Sequence, residues 1–233
     1  MGRHFEVRAA AMAKSGQKKS ALYARAAKEI YVAAKGGSDP NSNLALRSAI
    51  DKFKGLSVPK DVIERAIKKA EGGSGENYTP GRYEAIGPGG SYLIIDSLSD
   101  NTNRAFVNIR TAVTKNNGQM ANIAFNFTES GILVFKYENI SDVEEALILN
   151  DVDVLDITNE DDLIEVVIIP THFGKAKDLI NELGVTDFEV AEIQMVANEF
   201  VDLEEEHKEA FLKLLDVLDD VEDVQSVYHN INL

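Results

Sequence analysis

GILVFKYENISDVEEALILNDVDVLDITNEDDLIEVVII, residues 131–169, reads as strand, helix, strand, strand. Ile132 to Tyr137 has the apolar, β-branched and aromatic character of a strand. Ser141-Asp142-Val143-Glu144 has the spacing of a capping box, in which the Ser and Glu side chains satisfy backbone amides reciprocally, so a short helix opens there. Runs near 153–157 and 163–169 read as strands, separated by the polar turn Asn159-Glu160-Asp161-Asp162. Thr171 is placed to cap a helix carrying Phe173, Ala176, Leu179, Ile180 and Leu183, which Gly184 ends, and a strand follows over 187–195. The order from 131 to 195 is βαββαβ, a split unit with both helices on one face of its sheet.

Each flank supplies half of a second such unit. Upstream, Ser91 to Ser97 reads as a strand and Asn103 to Lys115 as a helix with Phe106, Ile109 and Val113 at helical spacing. Ala121 to Phe127 alternates Ile123, Phe125 and Phe127, the period of a strand. Downstream come a strand near 197–201, a helix over 204–219 with Leu203, Phe211, Leu214, Leu215 and Leu218 on one face, and a strand over 223–231. The expected fold class is therefore α/β (α+β), with two ferredoxin-like βαββαβ domains, one inserted in the other. The inserted domain is 130–196, and the discontinuous one is 83–129 with 197–233.

Residues 1–75 are expected to form a small three-helix domain. Leu22, Tyr23, Ala26, Ala27, Ile30, Ala33 and Ala34 share one arc of a first helix, which Gly36-Gly37 stops. Leu46, Ile50 and Phe53 stripe a second over 41–54. Pro59 suits the first turn of a third, with Val62, Ile63, Ala66, Ile67 and Ala70 inward. Gly72-Gly73-Ser74-Gly75 reads as a flexible linker.

The formal net charge of −15 hides a division. Residues 1–82 hold 16 Lys and Arg against 8 Asp and Glu, whereas residues 83–233 hold 8 against 31. The first third is a basic module and the rest an acidic body. The basic excess recurs on all three helices. Phosphate contacts dominate nucleic-acid affinity, so Lys14, Lys18, Lys19, Arg25, Lys28, Lys35, Arg47, Lys52, Lys54, Lys60, Arg65, Lys68 and Lys69 are candidate phosphate contacts. Arg82 and Arg104 are candidates where module meets body. Arg104 opens a helix, where a cation opposes the macrodipole, so an anion is expected beside it. Tyr23 and Tyr31 read as core, with base stacking the alternative. The acidic run Asp216, Asp219, Asp220, Glu222 and Asp223 reads as a solvated helix end, and alternatively as a face for a basic protein.

Other chemistries find little support. With no cysteine, thiol catalysis and Cys-based metal sites are excluded. The four histidines show no metal-ligand spacing, and His229 reads as a semi-buried strand residue. Asp151, Asp153 and Asp156 begin like a calcium loop, but its sixth and twelfth positions hold Asp156 and Asp162 rather than Gly and Glu. Gly87-Pro88-Gly89-Gly90 precedes a strand rather than a helix, so it reads as a turn, not a phosphate cradle. No apolar run reaches the roughly 18 residues of a membrane span, and no apolar stretch follows Arg3 and Arg8 as in a signal peptide. A cytoplasmic, non-enzymatic protein without cofactor or metal is expected.

The segments VAAKGGSDPNSN, LRSAIDKFKGLSVPKDVIERAIKKAEG and GRYEAIGPGGSYLIIDSLSDNTNRAFVNIRTAVTKNNG, in this order, resemble the YebC family, most closely its branch beginning Met-Gly-Arg. Its eukaryotic members include a mitochondrial translational activator. The resemblance implies a three-domain α/β protein with a small helical first domain. It also implies a cytoplasmic, DNA-binding regulator of transcription, or alternatively a ribosome-associated factor that relieves stalling at proline-rich stretches by contacting ribosomal RNA. The implied partner is nucleic acid, DNA or ribosomal RNA, with a ribosomal or other basic protein as a further partner for the acidic body and no membrane. Two stretches depart from the family pattern: His4-Phe5 stand where Lys-Trp is usual, and residues 119–123 lack a Gly-Ser-Val stretch.

Overall fold

The computed structural model describes residues 17–233 except Ser74 and Asp161, with Gln17 and Lys18 described in backbone only. Two compact units divide the described residues: 129–196 lie in one, and 17–128 with 197–233 in the other.

The larger unit opens with three helices, α1 (Gln17–Ala34), α2 (Leu44–Gly55) and α3 (Lys60–Glu71). Their apolar stripes converge on a core of Ala26, Ile30, Leu46, Phe53, Ile63 and Ala66, with Leu22, Tyr23 and Val62 packed at its edge. α1 packs against both other helices. Asn43 ties two helix ends together. Its side-chain oxygen accepts from the Leu46 amide at 3.1 Å, and its amide nitrogen donates to the carbonyls of Ala33 and Gly37 at 2.8 and 2.7 Å. The carbonyls of Ala33 and Gly37, at and just past the end of α1, and an amide left open at the start of α2 thus share one side chain.

The same unit continues with β1 (Thr79–Ile86), β2 (Tyr92–Ser99), α4 (Thr102–Lys115) and β3 (Gln119–Met120), and later α7 (Glu205–Asp219) and β8 (Val224–His229). The sheet order is β3-β1-β2-β8, antiparallel throughout. Ile109 and Val113 of α4 with Phe211, Leu214 and Leu218 of α7 cover one face and meet Ala85, Leu93, Ile95 and Val224. Gly87–Gly90 makes the β1–β2 turn. Gly89 adopts φ +67°, a backbone conformation that favours glycine, and a Cβ there would also crowd Leu203 and His207. His229 is buried against Phe211, and burial lowers its pKa to about 4.

The smaller unit holds β4 (Phe127–Lys136), α5 (Ile140–Leu149), β5 (Val154–Glu160), β6 (Leu163–Ile168), α6 (Phe173–Glu182) and β7 (Phe188–Ala197), in the expected βαββαβ order. Its sheet runs β5-β6-β4-β7, which places the strands second, third, first, fourth. Leu133, Phe135, Ile164, Val166, Val143, Leu147, Ala176 and Ile180 fill its core. Asn139, not Ser141, caps α5: its side chain accepts from the Ser141 amide.

The fold class stands, but the outer domain reaches its sheet by another chain order. β2, β3 and β8 occupy the first, second and fourth positions of the same layout, and the third belongs to β1, which arrives before them. The strand expected near 197–201 shrinks to one bridge, Val201 to Ile231. The strand expected over 121–127 is replaced by a short 3₁₀ turn, Ala124–Asn126, because the Glu84 carboxylate accepts from the amides of Ile123 and Ala124 at 2.6 and 2.7 Å. Asn198 closes the interruption of this unit. Its backbone amide donates to Asn126 at 2.9 Å, its side-chain amide donates to Phe125 at 3.2 Å, and Thr128 donates to its side-chain oxygen at 2.6 Å.

Candidate nucleic-acid interface

The described cations of the helical module divide among the acidic body, the module itself and solvent. α7 ends in Asp219, with Asp220, Glu222 and Asp223 just beyond it, so carboxylates crowd a helix end that already carries negative partial charge. Such an end calls for cations, and α1 supplies them from positions one turn apart. The Arg25 guanidinium donates to the Asp219 carbonyl at 2.6 Å and lies 3.4 Å from its carboxylate. Lys28 donates to the Glu222 carbonyl at 3.0 Å and stands 3.6 Å from the Asp223 carboxylate. The side chains of Arg25 and Lys28 are only 17% and 11% exposed.

Asp223 is the centre of this contact. Arg104 donates to both its carboxylate oxygens, at 3.1 and 2.9 Å, and to Asp100 at 2.7 Å. Burial pushes the Asp223 carboxyl up, but hydrogen bonds from Arg104 and Ser99 and the charges of Lys28 and Arg104 outweigh it, holding the group below its usual range. The hydrogen bonds to Asp223 and Asp100 raise the Arg104 pKa further.

These contacts correct three expectations. Arg25 and Lys28 do not face outward, because the acidic body engages them. The anions beside Arg104 are the protein's own carboxylates. The run ending at Asp223 is not simply solvated: its basic partner is α1 of the same chain. Arg82 is likewise engaged, donating to Asp96 across the β1–β2 pair at 2.7 and 3.0 Å.

Other candidates serve the module itself. Lys52 pairs with Glu29 at 2.9 Å. Lys35 reaches the Glu76 carbonyl and Asn77, and Lys69 pairs with Glu76 at 2.7 Å, so the residues just after the glycine-rich linker are pinned to α1 and α3. Arg47 donates to the carbonyls of Pro40 and Asn41. Lys60 with Glu64 and Arg65 with Asp61 form exposed pairs one turn apart. Lys19, Lys54 and Lys68 are exposed. Lys14 and the side chain of Lys18 lie outside the described residues.

Comparison with known proteins decides the family. The family description "TACO1/YebC protein N-terminal domain" matches residues 3–73, and "TACO1/YebC second and third domain" matches residues 78–231. The chain belongs to the TACO1/YebC family. A relative from Mesoplasma florum, named a probable transcriptional regulatory protein, is 47% identical over 99% of both chains. One of the same description from Mycoplasma capricolum is 44% identical over 100% of both. Among solved structures, a conserved hypothetical protein from Aquifex aeolicus is similar with TM-score 0.78 and 29% identity, covering 94% of this chain and 92% of that one. Among the described residues of this family member, no helix is long and apolar enough to cross a membrane.

Sequence reasoning missed Asp223 as the hub of the site. The available signal was its position: the last carboxylate before the strand Val224–His229, next to the buried Val224.

Proposed function

We propose that this protein is a non-enzymatic, cytoplasmic regulator of gene expression that binds nucleic acid through the outer faces of α2 and α3. The observation that carries this reading is the division among the cations: α1 turns Arg25 and Lys28 to the acidic body, while Lys54, Lys60, Arg65 and Lys68 remain exposed. Exposed ion pairs one turn apart contribute only about 0.3–0.5 kcal/mol, so Lys60 and Arg65 can exchange their carboxylates for phosphates. The naming of relatives as probable transcriptional regulatory proteins supports a regulatory role.

A structured RNA such as ribosomal RNA is the second reading. α3 has no Asn or Gln, the side chains that pair with adenine edges, and its exposed cations alternate with Asp61, Glu64 and Glu71. Such a face suits phosphate spacing and shape more than base-edge readout of a duplex.

Gel shifts on duplex DNA beside gradient co-sedimentation with ribosomes, at about 50 and 200 mM salt, test both readings. Five phosphate contacts give a log–log salt slope of about −3.5 to −4.5. Lys54→Glu with Lys68→Glu is expected to weaken the observed binding at least tenfold. Binding insensitive to salt and to these substitutions, or no binding at all, sinks the proposal. Comigration with ribosomes and no DNA shift selects the RNA reading.

A further inference from the structure

An open groove of about 380 Å³ runs along the seam of α1 and α3. Small side chains make it: Ala24 and Ala27 on α1 and Ala66 on α3 do not fill the seam. Tyr23 and Tyr78 form half-buried aromatic walls. Tyr31 is buried and meets Tyr78 edge-on, with ring centroids 5.8 Å apart. Lys28, Arg65, Lys69 and Glu76 also line the groove. Lys28 stands 5.8 Å from the Tyr78 ring centroid. Tyr78 donates to Glu76 at 3.0 Å, and burial with that bond pushes its pKa up to about 12, so the ring stays neutral.

Aromatic faces and fixed positive charge meet here at one place. A ligand that matches both is a planar ring joined to an anion. An apolar peptide would match the rings alone, whereas an anion can also take the places of Asp61 and Glu76 beside Arg65 and Lys69. Ordinary ligand pockets occupy about 300–1,000 Å³, so this groove has room for one nucleotide unit. A base inside a duplex has both faces covered by its neighbours and cannot present one to tyrosine; an unpaired base can.

Resting on the nucleic-acid reading above and deepening it, we infer that this groove takes one unstacked base of a single-stranded nucleic acid. The base lies against Tyr23 and Tyr78, and the adjoining phosphate lies at Arg65 and Lys69. On binding, the phosphate replaces the carboxylates of Asp61 and Glu76 as counter-ion to those two cations.

The test uses the full chain and fluorescence polarisation with labelled single-stranded RNA, single-stranded DNA and the same sequence as a duplex, with free uridine monophosphate as competitor. Single strands of either sugar should bind more tightly than the duplex. Tyr23→Ala and Ala24→Phe, the second of which fills the groove from an exposed position, should each weaken single-strand binding about tenfold. Lys54→Glu, outside the groove, should weaken both forms alike. An unchanged melting temperature for Ala24→Phe separates blockade from unfolding. If the wild type binds nucleic acid and the groove variants match it, the groove assignment is wrong and the broader reading survives. If the wild type binds no nucleic acid, both fall. Displacement by the free mononucleotide at oligonucleotide-like affinity overturns the assignment in favour of a small-molecule pocket.

Discussion

Asp223 has a side chain only 1% exposed, and it is ionised there because two cations from distant segments converge on it. Its folded pKa lies below the reference value of 3.8. Its contribution to stability is therefore present above that value and is lost as pH falls through the lower folded pKa. Asp223→Asn keeps the shape and removes the charge. It is expected to lower unfolding stability by about 2 kcal/mol at pH 7, the range for hydrogen bonds to charged groups. In urea titrations the gap between variant and wild type should close as pH falls below 3.8 and on through the folded value. A gap independent of pH would contradict the charge-based account. Its place directly before the strand Val224–His229 is the one local mark that separates Asp223 from Asp220. What makes it the hub is Arg104, 119 residues away, and contacts of that range are invisible to periodicity.

At the scale of elements, the helices were legible because their apolar residues recur at a period near 3.6 and glycines or asparagines mark their ends. The inserted unit was legible for a similar reason: its two central strands, β4 and β6, carry continuous buried, mostly apolar runs bounded by turns. β1 was not. It begins Thr79-Pro80-Gly81-Arg82, largely exposed, and its charged residues answer distant partners, Arg82 with Asp96 on β2 and Glu84 with the amides of Ile123 and Ala124, rather than an alternating core pattern. The run over 121–127 misled in the opposite sense. Its alternation is real, but Phe125 is 78% exposed and the Glu84 carboxylate holds the backbone in a turn. Asn43 offers a test at this scale, since one side chain serves two helices. Removing an N-cap costs about 1 kcal/mol. Asn43→Ala also leaves two carbonyl contacts of the α1 end unmet, so a total loss of about 2 kcal/mol is expected in thermal or urea melts of the full chain. A loss confined to a few tenths would mean that water replaces these bonds freely.

For the whole molecule, charge segregation was readable from the sequence, but its use was not. The count of cations in the first third suggested a surface aimed outward; the structure turns part of that surface to the chain's own carboxylates and leaves another part exposed. A second large-scale feature is the way Asn198 fastens both margins of the break between Thr128 and Ala197. Joining those two residues through a short Gly-Asn turn is expected to give a shortened chain that still unfolds in one cooperative transition by calorimetry. A product that aggregates or melts without a transition would show that the outer sheet depends on what was excised. The same clasp makes the locus a natural splice point: a fluorescent reporter grafted there would ride as a passenger on an intact host.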